Sequence, residues 1–267
     1  MKHALRNRLH ALLLESFIHS SARIGLSCLA IAIRLQGHAD REAKILAIPL
    51  ALLQEKMACS PMEARSAIRR LADPPSLVVI PESFQDGGEI ALAAPVWEAR
   101  SEIGEMMDAY LTAVDAFGSL SPPQDRLECA FLQARICFNL GLYFEAHEIL
   151  EHEWLRQAKG PLHTFLQGII QVSVGFYHGR RGVYSGAVNQ LGKGLEKLRR
   201  TLAEFPDADA DGFRRAVEGV RERLLARGRE GMAPLEPSEI PTMTMDLPAS
   251  LRALQAGETL DRPEIAC

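Results

Sequence analysis

One framework occurs twice in this chain, 41 positions apart. Residues 138–154 read FNLGLYFEAHEILEHEW and residues 179–195 read GRRGVYSGAVNQLGKGL, so Gly141 aligns with Gly182, Tyr143 with Tyr184, Ala146 with Ala187 and Leu150 with Leu191. A glycine, an aromatic, a small residue and a leucine at these spacings describe a tight turn leading into a helix that packs closely on a neighbour. The middle of the chain is thereby restricted to duplicated helical hairpins within one bundle. The histidine and acidic side chains of the first copy are absent from the second. Shared residues build the scaffold, and those confined to one copy are candidates for chemistry.

The rest of the chain also reads as mainly α. Apolar periodicity predicts helices over 5–19 and 23–35, and a further helix over 43–58 interrupted early by Pro49. Ser60-Pro61 with Glu63 three residues on has the form of an N-cap, a first-turn proline and a first-turn acid, opening a helix that Pro74-Pro75 closes. SLVVIP (76–81) and EIALAAP (89–95) flank Gln85-Asp86-Gly87-Gly88, the pattern of one small β-hairpin. Residues 96–118 form a connecting helix that runs into the polar SLSPPQD; helices then fill 126–202, and another spans 213–227. Beyond Gly228 prolines multiply and periodicity fades, which predicts a tail that is poorly ordered or wrapped on the surface. The expected division is 1–95, a connector 96–125, a helical domain 126–228 and a Pro-rich tail 229–267.

Residues 43–95, in their order of helix, tight turn, helix and two-stranded hairpin, resemble the winged helix-turn-helix superfamily. The resemblance implies a recognition helix over 61–73 in which Arg65, Arg69 and Arg70 meet DNA, while Ile68 and Leu71 hold the helix to its domain. Asp86 and Glu89 in the wing oppose phosphate contact, so DNA and a protein partner both remain open. The strongly apolar, amphipathic stretch 5–35 could form a dimerising helical pair. The duplicated hairpins resemble tetratricopeptide-like units, but the period exceeds the usual ~34 residues and two copies are too few for a solenoid.

Helical phasing of 144–155 at about 100° per residue places Ala146, Ile149, Leu150 and Trp154 on one arc and His147 with Glu151, one turn apart, on its rim. Glu145, Glu148 and His152 fall on the opposite, outward side. On the following apolar helix, Gln167, Gln171 and His178 form one polar stripe beside Gly168 and Gly175. Buried polar groups need partners, and pairing this stripe with His147 and Glu151 is the economical arrangement. Three readings of that pocket stand open. It is a hydrogen-bond network locking two hairpins, a divalent-metal site using His147, Glu151 and His178 or Glu148, or a small-molecule site with His147 as a general base oriented by Glu151. Nucleophile-elbow, P-loop, dinucleotide and zincin motifs are all missing from the sequence; the helix carries His147-Glu148 but no second zincin histidine.

The run Phe138-Asn139-x-Gly141-x-Tyr143-Phe144-Glu145-Ala146-His147-Glu148-x-x-Glu151-x-x-Trp154, followed by Phe165-Leu166-Gln167-Gly168-Ile169-Ile170-Gln171 and Tyr177-His178, resembles the domain of unknown function 309 family. The resemblance covers roughly 126–202. It implies a compact all-helical domain, brings no activity with it, and points to Glu145, His147, Glu148, Glu151, Trp154, Gln167 and Gln171. It therefore differs from the phasing over Glu145 and Glu148.

A formal net charge of −4 argues against a polyanion binder acting through bulk charge. Five cysteines with no C-x-x-C pair fit reduced thiols, and no apolar run approaches the ~20 residues of a membrane span, so a cytoplasmic protein is expected. The leading functional expectation is a sensor or regulator, in which the bundle binds a ligand, metal or partner and the winged helix binds DNA or protein. A metal-assisted or His/Glu-based hydrolase is the alternative, and an interaction scaffold without ligand is a third.

Overall fold

The structure is a computed structural model that describes residues 3–37, 48–49, 59–73, 77–79 and 89–258. The fold is mainly α, and the chain divides into two compact units, Met1–Ser119 and Leu120–Cys267.

In the first unit, α1 (His3–Ile18) and α2 (Ser20–Gly37) pack on each other and on α5 (Arg100–Gly118). Their leucine-rich faces are consumed there: Leu9, Leu13, Leu26 and Leu29 are wholly buried, as are Ile103 and Tyr110 of α5. The apolar surface read as a dimerising pair is thus covered within the unit. Segment 96–118, expected as a connector, is instead α4 (Ala94–Glu98) followed by α5, a core helix of this unit. Ion pairs Arg23–Asp115 and Arg34–Asp108 join α2 to α5, and Phe17 meets Phe117 edge-on at 5.1 Å.

The helix over 61–73 forms as its signals demand. In α3 (Pro61–Ala72), the Ser60 hydroxyl accepts from the Glu63 amide, and the Glu63 carboxylate accepts in return from the Ser60 amide. The hairpin forms too: β2 (Val78–Val79) pairs antiparallel with β3 (Glu89–Leu92), Val78 opposite Leu92. A third strand, β1 (Ile48–Pro49), pairs with the other side of β3, giving the order β1-β3-β2. This corrects the helix expected around Pro49. Proline has no amide to donate into a helix and biases its predecessor toward extended backbone, whereas an edge strand accommodates it. The remainder of 43–58 and the 85–88 turn, with Asp86, lie outside the described residues.

The second unit is a bundle of α6 (Arg126–Asn139), α7 (Tyr143–Trp154), α8 (Pro161–Arg180), α9 (Tyr184–Glu204) and α10 (Ala208–Arg227). Its centre is aromatic: Phe138 touches Tyr143, Phe176 and Phe213 edge-on, with ring centroids 5.0, 5.8 and 5.6 Å apart. Over 229–258 the tail follows the second of its two expected courses, lying against the bundle. Leu235, Met243, Met245, Leu247 and Leu251 are buried against the bundle, and the chain ends its described part in α11 (Ala249–Glu258). Alternating apolar residues give this stretch a face to bury despite its prolines. Among the described residues, no helix is long and apolar enough to cross a membrane.

Candidate functional site

The duplicated framework is a duplicated turn. Gly141 and Gly182 both adopt left-handed backbone, with φ of 78° and 68°, a conformation that costs other residues strain. The hydrogen bonds around them repeat at the same offset: Gly141 N to Phe138 O and Leu142 N to Cys137 O, then Gly182 N to Gly179 O and Val183 N to His178 O. These are helix-closing bonds of the Schellman type, and each turn launches the next helix at Tyr143 or Tyr184. Both hairpins therefore direct their second helix in the same way, and only the first carries the histidine and glutamates.

On α7, His147 is anchored one turn back. Its Nδ1 lies 2.9 Å from the Phe144 carbonyl, which can only accept, so Nδ1 donates. The Phe144 ring meets the imidazole edge-on at 5.3 Å. This leaves Nε2 directed at two carboxylates, 3.4 Å from Glu148 Oε1 and 3.6 Å from Glu151 Oε2. The imidazole is nearly buried, at 16% exposure, whereas Glu148 and Glu151 open to solvent. One ligand atom from each of His147, Glu148 and Glu151 can be chosen so that all lie within 4.8 Å of one another. Glu148, placed outward by phasing, belongs to this group.

The polar stripe of α8 is elsewhere. Gly168, Gly175 and Gly194 allow a close approach between α8 and α9: a methyl at Gly175 would lie 2.7 Å from Leu191, and one at Gly194 2.7 Å from the Gly168 carbonyl. The residues beside those glycines follow them toward α9. Gln171 accepts from Lys197 Nζ at 3.1 Å, and the His178 ring lies over Gly186. Gln167 is half-buried on the same helix. Burial, reinforced by the Arg181 guanidinium, holds His178 below the usual histidine range. Gln171 and His178, expected to close a pocket over His147 and Glu151, have Lys197 and Gly186 as neighbours, and the metal-ligand cluster found among the described residues does not include His178.

Trp154, to which the family resemblance points, lies tilted against His163 with ring centroids 4.7 Å apart, and its indole nitrogen is buried with no partner among the described residues. Two carboxylates differ from the sequence reading. Glu145, placed outward, is wholly buried; burial and then its charge push the Cys137 thiol well up. Glu153, which the reading passed over, is 5% exposed and takes Arg126 Nε on both oxygens, at 2.9 and 3.1 Å. The reason is common to both. Helix α7 lies between α6 and α8, so its buried arc is wider than the apolar residues alone mark out. His152 is exposed beside Arg156.

In the first unit, α3 buries Ala64, Ala67, Ile68 and Leu71 completely. Its outer face is a shallow depression lined by Met62, Arg65, Ser66, Arg69, Arg70 and Asp73. Arg70 is partly engaged, since its carbonyl accepts from Arg8 at 2.7 Å and its guanidinium lies 3.7 Å from Glu15. Among the described residues, Arg65 and Arg69 have no polar partner.

Residues 131–190 match the family described as Domain of unknown function (DUF309). The matched segment contains α7 and α8 whole, and with them His147, Glu148, Glu151, Gln171 and His178. No curated protein and no solved structure matches the chain.

Proposed function

We propose that this chain, whose residues 131–190 form a DUF309 domain, is a two-part regulator in which the first unit contacts duplex DNA through α3 and the second responds to a ligand or partner. The observation that carries the reading is the split character of α3. One face is entirely buried, and the other presents Ser66 and Arg69 to solvent beside a half-buried Arg65, neither guanidinium having a polar partner among the described residues. Arginine suits this role because its planar fork pairs with phosphate oxygens or with the O6 and N7 edge of guanine. The setting supports it too. A helix followed by an antiparallel pair, in a sheet of order β1-β3-β2, is the arrangement a helix-turn-helix with a wing requires. The net charge of −4 makes attraction local to this face and strongly dependent on salt. Among the described residues, Cys28, Cys59, Cys129 and Cys137 form no disulfide, which suits a reducing, cytoplasmic setting. Titration of a labelled mixed-sequence duplex at low salt tests the reading: wild type binds, Arg65→Ala/Arg69→Ala binds far more weakly, and an inert wild type ends it.

One observation favours a second reading for the bundle, a divalent cation at His147, Glu148 and Glu151. Metal-ligating histidines characteristically donate their other ring N–H to a carbonyl or carboxylate, as Nδ1 of His147 does to Phe144. The spacing fits as well. Bonds of about 2.0–2.2 Å in tetrahedral geometry separate ligand atoms by about 3.3–3.6 Å, and Nε2 lies 3.4 and 3.6 Å from the two carboxylate oxygens. A cation there would supply Lewis acidity, the chemistry a metal-assisted hydrolase requires. Titration with Zn²⁺ and Mn²⁺, read by calorimetry and elemental analysis, checks this. Stoichiometric metal lost in both His147→Ala and Glu151→Ala supports it, and absence of uptake by the wild type excludes it.

A further inference from the structure

The bundle holds an extended peptide, and the peptide is its own tail. After α10 the chain passes through Gly228, with φ of 67°, and exposed residues 229–231, 233 and 234 before it meets the bundle again at Leu235. A single 3-10 turn, Pro237–Glu239, follows, and from Ile240 to Leu247 the chain is extended and its contacts are those of a bound ligand. Met243, Met245 and Leu247 are buried while Thr242, Thr244 and Asp246 are exposed, the two-residue period of an extended strand. Among the described residues this segment pairs with no strand.

Side chains of the bundle take the place of a strand. Asn139 donates to the Met243 carbonyl at 2.9 Å and accepts from the Met243 amide at 2.8 Å. Arg135 donates to the carbonyls of Thr244 and Met245, at 3.3 and 3.2 Å, and pairs with the Asp246 carboxylate. Arg180 donates to the Leu235 carbonyl, and the Leu235 amide donates to Gly179 O at 3.0 Å. Asn139 and Arg180 are 41 positions apart, each two residues before the left-handed glycine of its turn. The duplication thus places a side chain that grips the tail backbone at the same position of each turn. A carboxamide holding both the N–H and the C=O of one residue reads main chain, and the alternate apolar pockets read side chains. Together these are the two halves of extended-peptide recognition.

We propose that the groove marked by Arg135, Asn139 and Arg180 is a peptide-docking site that residues 235–247 occupy in cis. In trans it takes an extended segment with apolar residues at alternate positions and a carboxylate opposite Arg135, the pattern Met243-Thr244-Met245-Asp246-Leu247. The tail is then a competing ligand tethered by residues 228–234. Short tethers give effective concentrations on the order of millimolar, so a free peptide enters only when the tail lets go. This inference is independent of the DNA reading and of the cation reading.

The probe is a fluorescein-labelled peptide spanning residues 234–250, titrated into the full-length chain. Met243→Ala/Met245→Ala, which weakens the tail but spares the groove, should bind it at least about tenfold more tightly than wild type, as removal of a tethered competitor requires. Adding Asn139→Ala should remove that gain, and a peptide of scrambled sequence should not bind. A folded tail variant that ignores the peptide overturns the proposal. Native-state hydrogen exchange in the unaltered chain decides the matter if the variant does not fold. The Met243 amide should exchange at least about tenfold faster than core amides of α8 such as Ile169, reporting local release. Equal rates, meaning that the tail leaves only when the whole unit unfolds, overturn the proposal equally.

Discussion

Asn139 and Arg180 occupy the same place in two copies of one turn, and each grips the backbone of the tail that crosses the bundle. Asn139 carries the cleaner test because its amide exchanges two hydrogen bonds with Met243 and nothing else. Asn139→Ala leaves the Met243 N–H and C=O without these partners, and should lower stability by about 1 to 3 kcal/mol. Asn139→Asp retains the acceptor for the Met243 amide but turns a carboxylate oxygen against the Met243 carbonyl, so it should not restore wild-type stability. Urea denaturation midpoints at constant slope give both values.

The approach of α8 to α9 ranks two glycines. At Gly194 a methyl would meet the backbone carbonyl of Gly168 at 2.7 Å, and a backbone group cannot step aside. At Gly168 the nearest obstacle is the Leu198 side chain, at 2.9 Å, which can rotate. Overpacking typically costs about 1 to 3 kcal/mol, against a gain of about 1 kcal/mol from replacing glycine in a helix. Gly194→Ala should therefore be clearly destabilising and Gly168→Ala closer to neutral, a difference that thermal unfolding resolves.

The same bundle sets a pH dependence. Burial first, and neighbouring cations second, hold His163 and His178 below the ordinary histidine range. The unfolded chain consequently takes up these protons before the folded chain does. Stability is complete above the unfolded value of about 6.5 and declines as pH falls below it toward the lower folded values. The carboxylates of Asp211, Glu218 and Glu239, lowered chiefly by hydrogen bonds from Arg214, Arg214 and Arg227, lose their contribution only in more acid solution. Urea midpoints between pH 5 and 7 should rise with pH, and the slope should flatten in His163→Gln/His178→Gln. An unchanged slope in that variant would contradict the assignment.

Local signals carried much of this architecture. Ser60-Pro61 with Glu63 specified its helix start because the capping bonds span only three residues, and the 41-residue echo identified Gly141 and Gly182 as paired turns because left-handed backbone favours glycine strongly. What the sequence hid was which neighbour each helix face would meet. Gly168 and Gly175 announced a close approach without saying to what, so Gln171 and His178 were assigned to α7 when α9 held the partners Lys197 and Gly186. Glu153 escapes the reading, and the phasing alone sets Glu145 outward although the family resemblance points to it, because a charge reads as solvent-facing until its surroundings bring it inside, as Arg126, 27 positions away, does for Glu153. His147 and Glu151 were legible as a pair because both lie on one helix, within one turn.

The most direct test of the regulator reading is the salt dependence of duplex binding. Each phosphate contact contributes about −0.9 to the slope of log K against log salt. Wild type should bind mixed-sequence DNA at low salt with a steep negative slope, and Arg65→Ala/Arg69→Ala should bind more weakly with a slope shallower by up to about 2. Wild-type binding that is absent at low salt, or a slope that both arginine substitutions leave untouched, would contradict the assignment of α3 as the DNA-contacting helix.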